Sequence, residues 1–433
     1  MFLSWLLLAV FAAGTGFLMA AADRDWQALV VLVPATGILA FILLPRMSRL
    51  DAGTFLLRTL IAGFLLKLGF SMVRLWVGFE VYGGTVDASG YHRRGTLIAE
   101  QIWRLELSDL LTALQWGTRF VDFFTGVIYS LIGPTLYGGY IVFALLGFLG
   151  SYYFYKAFST AFPQGNTRLY AVLVFLSPSI LYWPNGIGKD ALIFLFIGLF
   201  AYGSAQLTRD KLQGLFHLIV GLLGTACIRP HVAAILAVAF VMALLIRGIG
   251  KKALRSGTLV TGLLLGGAFA WLLLPRIVAY VGLQELSIEG AMDVLELRQS
   301  LTAQGGSNFE AGGTLRPLSF PIAMITMLFR PLPWEAHNLQ AMAQSLEGLM
   351  LIGVILWRIK SLGRAVASSL SSAYLRYIVI CIFVFAVTLS LIQNFGILAR
   401  QRVMMLPFVF MLVAYGDSYA DNAVSRRTLS RSE

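Results

Sequence analysis

Lys189-Asp-Ala-Leu-Ile-Phe-Leu-Phe-Ile-Gly-Leu-Phe-Ala-Tyr-Gly-Ser-Ala-Gln-Leu207 decides the fold class of this chain. After Asp190 it carries no charge, and its apolar residues surround the helix instead of forming one stripe. At 1.5 Å per residue such a run nearly matches a hydrocarbon core roughly 30 Å thick. Working outward in both directions, similar runs recur near 2–20, 27–45, 55–78, 135–157, 169–184, 214–228, 232–248, 256–275, 338–358, 377–393 and 401–416. The composition agrees, at 58% hydrophobic and 12% charged, against roughly 25% charged in soluble domains. A chain this poor in polar groups cannot cover itself as a water-soluble globule. The expectation is an all-α polytopic membrane protein with about twelve transmembrane helices.

The first run precedes Ala20-Ala-Ala22, as a signal peptide would, but it has no basic leader and is long, so it reads as a helix. No linker or repeat divides residues 1–433, which read as a single integral membrane domain. Two loops are long, near 79–134 and 276–337, and a tail covers 417–433. Cys227 and Cys381 lie in apolar runs far apart, so no disulfide framework is expected.

Short loops set the orientation. Arg46, Arg49, Lys156, Arg168, Arg209, Lys211, Arg247, Lys251, Lys252, Arg255, Arg358, Lys360, Arg364, Arg426, Arg427 and Arg431 fall on one side. The positive-inside rule makes that side cytoplasmic, with both termini there and both long loops outside. A formal charge of +12 would suggest nucleic acid in a soluble protein. Here it reports orientation and an anionic lipid, and no nucleic-acid partner is expected.

The outer loops carry amphipathic segments. Leu97, Ile98, Ile102 and Leu105 share helical spacing with Glu100 and Arg104 opposite, which predicts an interfacial helix with Trp103 at headgroup depth. Residues 120–133, ended by Gly133-Pro134, are too short to span and read as re-entrant; residues 317–329 behave similarly.

Charge near a bilayer is costly, so ionisable groups gathered there point to function. Asp87-Ala-Ser-Gly-Tyr91-His92-Arg93-Arg94 opens the first long polar stretch. Asp87 either caps the following helix or acts as a general base, taking the proton of an attacking hydroxyl. Tyr91 and His92 would orient substrate or share that proton, and Glu310 and Asp122 stand as alternative bases or a second acid. Lys189, beside Asp190, either completes a turn or joins a helix N-terminus in holding a phosphate. Arg229-Pro-His231 fills a tight outer turn, with phosphate binding and a structural turn equally open. Arg330, with Trp334, Glu335 and His337, forms a polar corner in the second loop. Arg400 and Arg402 stand two apart, where both guanidiniums could reach one diphosphate. Any one arginine alone could be an interfacial anchor. Inside the spans, Lys67 needs a carboxylate, a carbonyl or water, with Glu347 one candidate partner; Arg74 can snorkel outward.

Several chemistries leave no trace: there is no phosphate-binding P-loop, HExxH, paired CxxC or GxSxG. No metal site and no cofactor requirement follow, and dependence on a divalent metal stays open. Gly305-Gly306 and Gly312-Gly313 mark a flexible loop or a substrate-gated lid.

Asp87-x-x-x-Tyr91-His92 followed by an amphipathic helix resembles the first outer loop of the GT-C superfamily of membrane glycosyltransferases. Pro178 to Leu195 and Phe329-Arg-Pro-Leu-Pro-Trp-Glu-Ala-His-Asn338, followed by Ser345-Leu-Glu347, resemble bacterial members. The likeness touches three patches over about half the chain. In that superfamily the catalytic loop usually follows the first span, whereas here it follows the third. This resemblance implies transfer of a sugar or glycan from a polyprenyl phosphate or diphosphate to a glycan, lipid or protein acceptor, on the periplasmic face of a bacterial inner membrane. It implies Asp87 as catalytic base, with Lys189 and the outward arginines, Arg93 included, as lipid-phosphate ligands. A polysaccharide polymerase or ligase of the Wzy type, or a flippase for a lipid-linked glycan, is the alternative.

Overall fold

The computed structural model describes residues 26–50, 54–106, 115–246, 267, 325, 327–336, 338–390, 392 and 394–416. The expected spans near 2–20 and 256–275, the tail 417–433, Glu310, His337, both glycine pairs and most of the second outer loop lie outside the described residues.

The described chain is all-helical, without a strand. In order it forms α1 (Trp26–Met47), α2 (Thr54–Trp76, continued by a π-turn to Val81), α3 (Asp87–Trp103) and α4 (Thr118–Ile132). Then follow α5 (Leu136–Ala161), α6 (Thr167–Leu176), α7 (Pro178–Tyr182), α8 (Lys189–Leu207), α9 (Gly214–Ile228) and α10 (Pro230–Leu245). After a 3-10 turn at Pro333–Glu335 come α11 (Leu339–Trp357), α12 (Ile359–Ser368), α13 (Ala373–Leu389), α14 (Phe395–Arg402) and α15 (Leu406–Ala414).

Four segments are long and apolar enough to cross a membrane: Thr54–Val81, Leu136–Ala161, Lys189–Leu207 and Gln340–Trp357. Two bent pairs raise the number to six, α12 with α13 at 112° and α14 with α15 at 53°. Shorter apolar stretches, Leu32–Met47, α6, α9 and α10, coincide with four more of the expected spans. An integral membrane protein with four to six membrane-length segments is therefore the architecture among the described residues.

By contacts the chain divides into two compact units, Met1–Leu149 with Phe175–Leu195, and Gly150–Val174 with Phe196–Glu433. In the first, Ser177 is extended (φ −62°, ψ 129°), as a residue before proline prefers. Pro178 opens the short α7, and Asn185-Gly186 lies in the turn region leading to α8. This broken segment is buried, so its freed carbonyls need partners. Helix α2 supplies them from positions 67, 71 and 74, spaced i, i+4 and i+7 on one face. Lys67 Nζ donates to the Ile180 carbonyl at 2.6 Å, Ser71 Oγ to the Asn185 carbonyl at 3.2 Å, and Arg74 to the Tyr182 carbonyl at 3.3 Å. Asn185 Nδ2 answers by donating to the Lys67 carbonyl at 2.7 Å. Lys67, only 2% exposed, thus takes a carbonyl partner, and Arg74 turns to Asp190, 3.4 Å away, instead of toward open solvent.

The same unit holds the α3–α4 pair. Helix α3 buries Ala88, Tyr91, Gly95, Ile98 and Ala99; α4 buries Val121, Asp122, Thr125, Gly126 and Tyr129. The two approach so closely that a Cβ on Gly95 would stand 2.7 Å from Thr125 Cγ2, and one on Gly126 would meet Ile98. Leu97, Trp103 and Leu105 stay exposed, which leaves an uncovered apolar edge. Trp103 Nε1 donates to the Ser130 carbonyl at 3.0 Å.

The second unit is centred on α15, all nine of whose residues are buried, as expected of a helix apolar all round. Phe408 meets Phe154 edge-on at 5.5 Å and Tyr377 at 5.8 Å. Tyr374 and Tyr170 bury their rings but donate their hydroxyls to the carbonyls of Ala201 (3.0 Å) and Pro407 (3.3 Å), which removes most of the penalty for burying them. Lys156 lies 4.3 Å over the Tyr202 ring, with Tyr152 and Tyr153 beside it.

Candidate functional site

Of the residues singled out by sequence, Asp87, Tyr91, His92, Arg93 and Lys189 belong to the first unit. Helix α3 begins at Asp87 itself, with extended Val86 (φ −119°, ψ 154°) in the capping position. Asp87 is therefore a first-turn residue, where its charge complements the helix dipole, and not the cap. Its exposed carboxylate shares a helix face with Tyr91 and Arg94, at i, i+4 and i+7.

Each of those neighbours is fixed. Tyr91 is 3% exposed and packs on Gly188, where a Cβ would come within 3.5 Å of its ring. That contact brings α3 against the residue preceding Lys189. Arg94 lies 5.6 Å over the Tyr91 ring and donates from Nε to Asp122 Oδ2 at 2.8 Å. The hydrogen bond to Asp122 raises the guanidinium pKa, and the charges of Asp122, Tyr91 and Asp87 add to the effect. The Arg94 terminal nitrogens lie over Gly90, about where a Cβ would crowd them at 3.1 and 3.3 Å. Asp122 is 3% exposed, and its Oδ1 has no hydrogen-bond partner among the described residues. His92 Nδ1 and the Tyr129 hydroxyl share a hydrogen bond of 2.7 Å. Arg93, by contrast, is exposed on another side of α3, and Lys189 is half-buried at the first position of α8.

Chemically this is a carboxylate on the open end of a helix, followed along one face by a phenol and a guanidinium. The guanidinium is anchored through one nitrogen only. Among the described residues no group of three His, Cys, Asp or Glu side chains stands close enough to hold a metal ion.

The second unit holds Arg229, His231, Arg330, Glu335, Arg400 and Arg402. Arg229 occupies the cap position of α10, with a sulfur contact to Met404 at 3.8 Å, and His231 follows half-buried in the first turn. Arg330 makes a two-pronged ion pair with Glu335, Nε to Oε1 at 2.9 Å, while Glu335 Oε2 accepts from the Leu332 amide at 2.8 Å. That carboxylate neutralises much of the charge a phosphate would seek. Arg400 and Arg402 end α14, and two residues apart on a helix means about 200° apart. Arg400 is half-exposed, whereas Arg402 is 0% exposed. Arg402 donates to the carbonyls of Leu328 (2.7 Å) and Arg330 (3.0 Å), and stands 3.9 Å from Glu347. One diphosphate bridging both guanidiniums is not what this geometry favours.

One participant escapes the sequence argument: Tyr129, which holds His92. Asp122, which sequence offers as an alternative base, is instead the counter-ion of Arg94. The signal for Tyr129 is the i, i+4, i+7 series Asp122, Gly126, Tyr129 on α4. No protein-family model matches the sequence, and no curated protein or solved structure matches it either.

Proposed function

We propose that the chain is a GT-C-like membrane glycosyltransferase with about twelve spans. It transfers a sugar or glycan from a polyprenyl phosphate or diphosphate to an acceptor hydroxyl, on the periplasmic face of a bacterial inner membrane, in the assembly of a cell-surface polysaccharide or glycoconjugate. The observation that supports this is the α3 face, with Asp87 exposed at its start and Arg94 anchored to Asp122 through Nε alone. Asp87 takes the acceptor proton as the hydroxyl oxygen bonds to the anomeric carbon. The bond from that carbon to the donor's phosphate oxygen breaks, and the phosphate leaves with the electron pair. The remaining N–H groups of Arg94, with Lys189, stabilise the negative charge on the leaving phosphate. A Wzy-type polymerase would run the same step with a growing glycan as acceptor.

The broken segment between α6 and α8 favours a flippase, because discontinuous helices with exposed carbonyls line transporter sites. Here the carbonyls of Ile180, Tyr182 and Asn185 are already bonded to Lys67, Arg74 and Ser71, so transport ranks second. Asp87→Asn separates the readings. In purified protein supplied with a polyprenyl-phosphate sugar and an acceptor, it lowers turnover by about a hundredfold or more, the scale of a lost general base. Glycan product at the normal rate would remove Asp87 from the chemistry. Loss of lipid translocation in vesicles instead would establish the transporter.

A further inference from the structure

The most unusual helix in the second unit is α12, Ile359-Lys-Ser-Leu-Gly-Arg-Ala-Val-Ala-Ser368. It follows α11, a membrane-length segment ending at Trp357, and meets α13 at 112°. Ten residues reach about 15 Å, half a hydrocarbon core, so α12 cannot itself span.

Its side chains sort into three faces. Ser361 and Ala365 are buried, with Ser369 just beyond the helix on the same side. This small-residue face packs on the end of α15: Ser361 Oγ accepts from the Gly416 amide at 3.1 Å, and Arg358 Nε donates to the Val413 carbonyl at 3.2 Å. A second face is apolar and uncovered, with Ile359 52%, Val366 47% and Leu370 63% exposed. Leu356 and Trp357, just before it, are exposed as well. The third face is basic. Lys360 and Arg364 stand one turn apart and exposed, and no described carboxylate lies against either; Arg364 Nε donates to the Lys360 carbonyl at 3.4 Å, and its guanidinium lies over Gly416, where a Cβ would meet it at 3.4 Å.

An apolar sector left bare beside a basic one has a natural occupant where the chain turns between membrane segments. We propose that α12 lies in the cytoplasmic membrane interface and binds the anionic phospholipid headgroups there. Ile359, Val366 and Leu370 enter the acyl boundary while Lys360 and Arg364 face the phosphates. Trp357 sits at headgroup depth, where indole rings concentrate. The packing on α15 joins this contact to the most buried helix of the unit. The proposal rests on the chain being an integral membrane protein and is independent of any glycosyl transfer.

The test titrates the purified full chain in detergent micelles with phosphatidylglycerol and follows the thermal midpoint. Phosphatidylglycerol raises the midpoint; phosphatidylcholine and inorganic phosphate do not. Lys360→Gln with Arg364→Gln raises the half-saturating phosphatidylglycerol concentration by about thirtyfold, the equivalent of about 1 kcal/mol for each basic residue at an anionic surface. The lipid-free midpoint is unchanged, because both side chains are exposed. The charge-keeping pair Lys360→Arg with Arg364→Lys retains the affinity. Equal stabilisation by phosphatidylcholine, an equal effect of inorganic phosphate, or full phosphatidylglycerol affinity in the glutamine variant would each overturn the proposal. The apolar face has its own readout: a nitroxide on Val366→Cys, in a chain with Cys227→Ala and Cys381→Ala. In phosphatidylcholine–phosphatidylglycerol vesicles it is more accessible to oxygen than to a nickel chelate. The reverse order places α12 in water and refutes the proposal.

Discussion

Removing the charge of Glu347 is the sharpest test of how the second unit tolerates a fully buried arginine. Arg402 is 0% exposed and Glu347 5%, with 3.9 Å between Arg402 Nη2 and Glu347 Oε2. Coulomb's law at that distance, with an effective dielectric of about 20, gives about 4 kcal/mol. The pair is at the outer limit of an ion pair, so the coupling should fall somewhat below that, at about 2–4 kcal/mol. Glu347→Gln keeps the shape but leaves the guanidinium with only the Leu328 and Arg330 carbonyls. Breaking a buried pair from one side typically costs about 3–5 kcal/mol. Arg402→Met also destabilises, since it strips both carbonyls of their donor, at about 1–3 kcal/mol for each buried group left unsatisfied. Adding Glu347→Gln to Arg402→Met should then cost nothing further, or should restore stability, because the remaining buried carboxylate disappears. A double-mutant cycle on the mole fraction of dodecyl sulfate that unfolds the micellar protein reads the coupling. If Glu347→Gln matches the parent, or if the two changes simply add, the pair is not a coupled buried unit.

Two further outcomes follow from the first unit. Tyr129→Phe removes the hydrogen bond to His92 Nδ1, and a bond of that kind is worth about 0.5–1.5 kcal/mol. Turnover should fall about two- to tenfold with the KM for the lipid donor unchanged; an unaltered turnover would detach His92 from the reaction. Gly126→Ala drives a Cβ into Ile98 and should destabilise by about 1–3 kcal/mol. Gly69→Ala on α2, with nothing within 4 Å of the new Cβ, should be neutral or slightly stabilising. Equal thermal midpoints for these two variants would contradict the close α3–α4 packing.

The helical membrane character was legible because it rests on length and composition, which no tertiary contact can reverse. The number of spans was less so. A hydropathy window sees apolar length but not bends, and it runs past Ser177-Pro178 and through the turn between Arg402 and Leu406 alike. The start of α3 was obscured by Gly90, which weakens a helix locally, yet its missing side chain makes room for Arg94. Asp87, Tyr91 and Arg94 share a face by spacing alone, so their alignment could be read directly. Their partners could not. Nothing in residues 118–132 says which helix meets Asp122 and Tyr129, because pairing depends on the shapes of two surfaces and not on the period of one.

The basic residues of this chain divide by what their hydrogen bonds reach. Lys67, Arg74, Arg358, Arg376 and Arg402 all donate to main-chain carbonyls, mostly at helix ends or breaks. Without water, each freed carbonyl must find a donor, and a long cationic side chain delivers one from a neighbouring helix. Charge within an apolar segment is thus explained by backbone geometry before any substrate is invoked. Arg94 differs, as Arg330 does, in donating to a carboxylate. Among the described residues Arg94 donates to no main-chain carbonyl, and it lies on an amphipathic helix pair and not within a membrane-length segment. Binding of a phosphate there would add a second anion to a guanidinium already oriented by Asp122. Substituting Arg94 should therefore impair donor use as well as stability, since the buried Asp122 loses its counter-ion, whereas substituting Lys67 should lower stability alone.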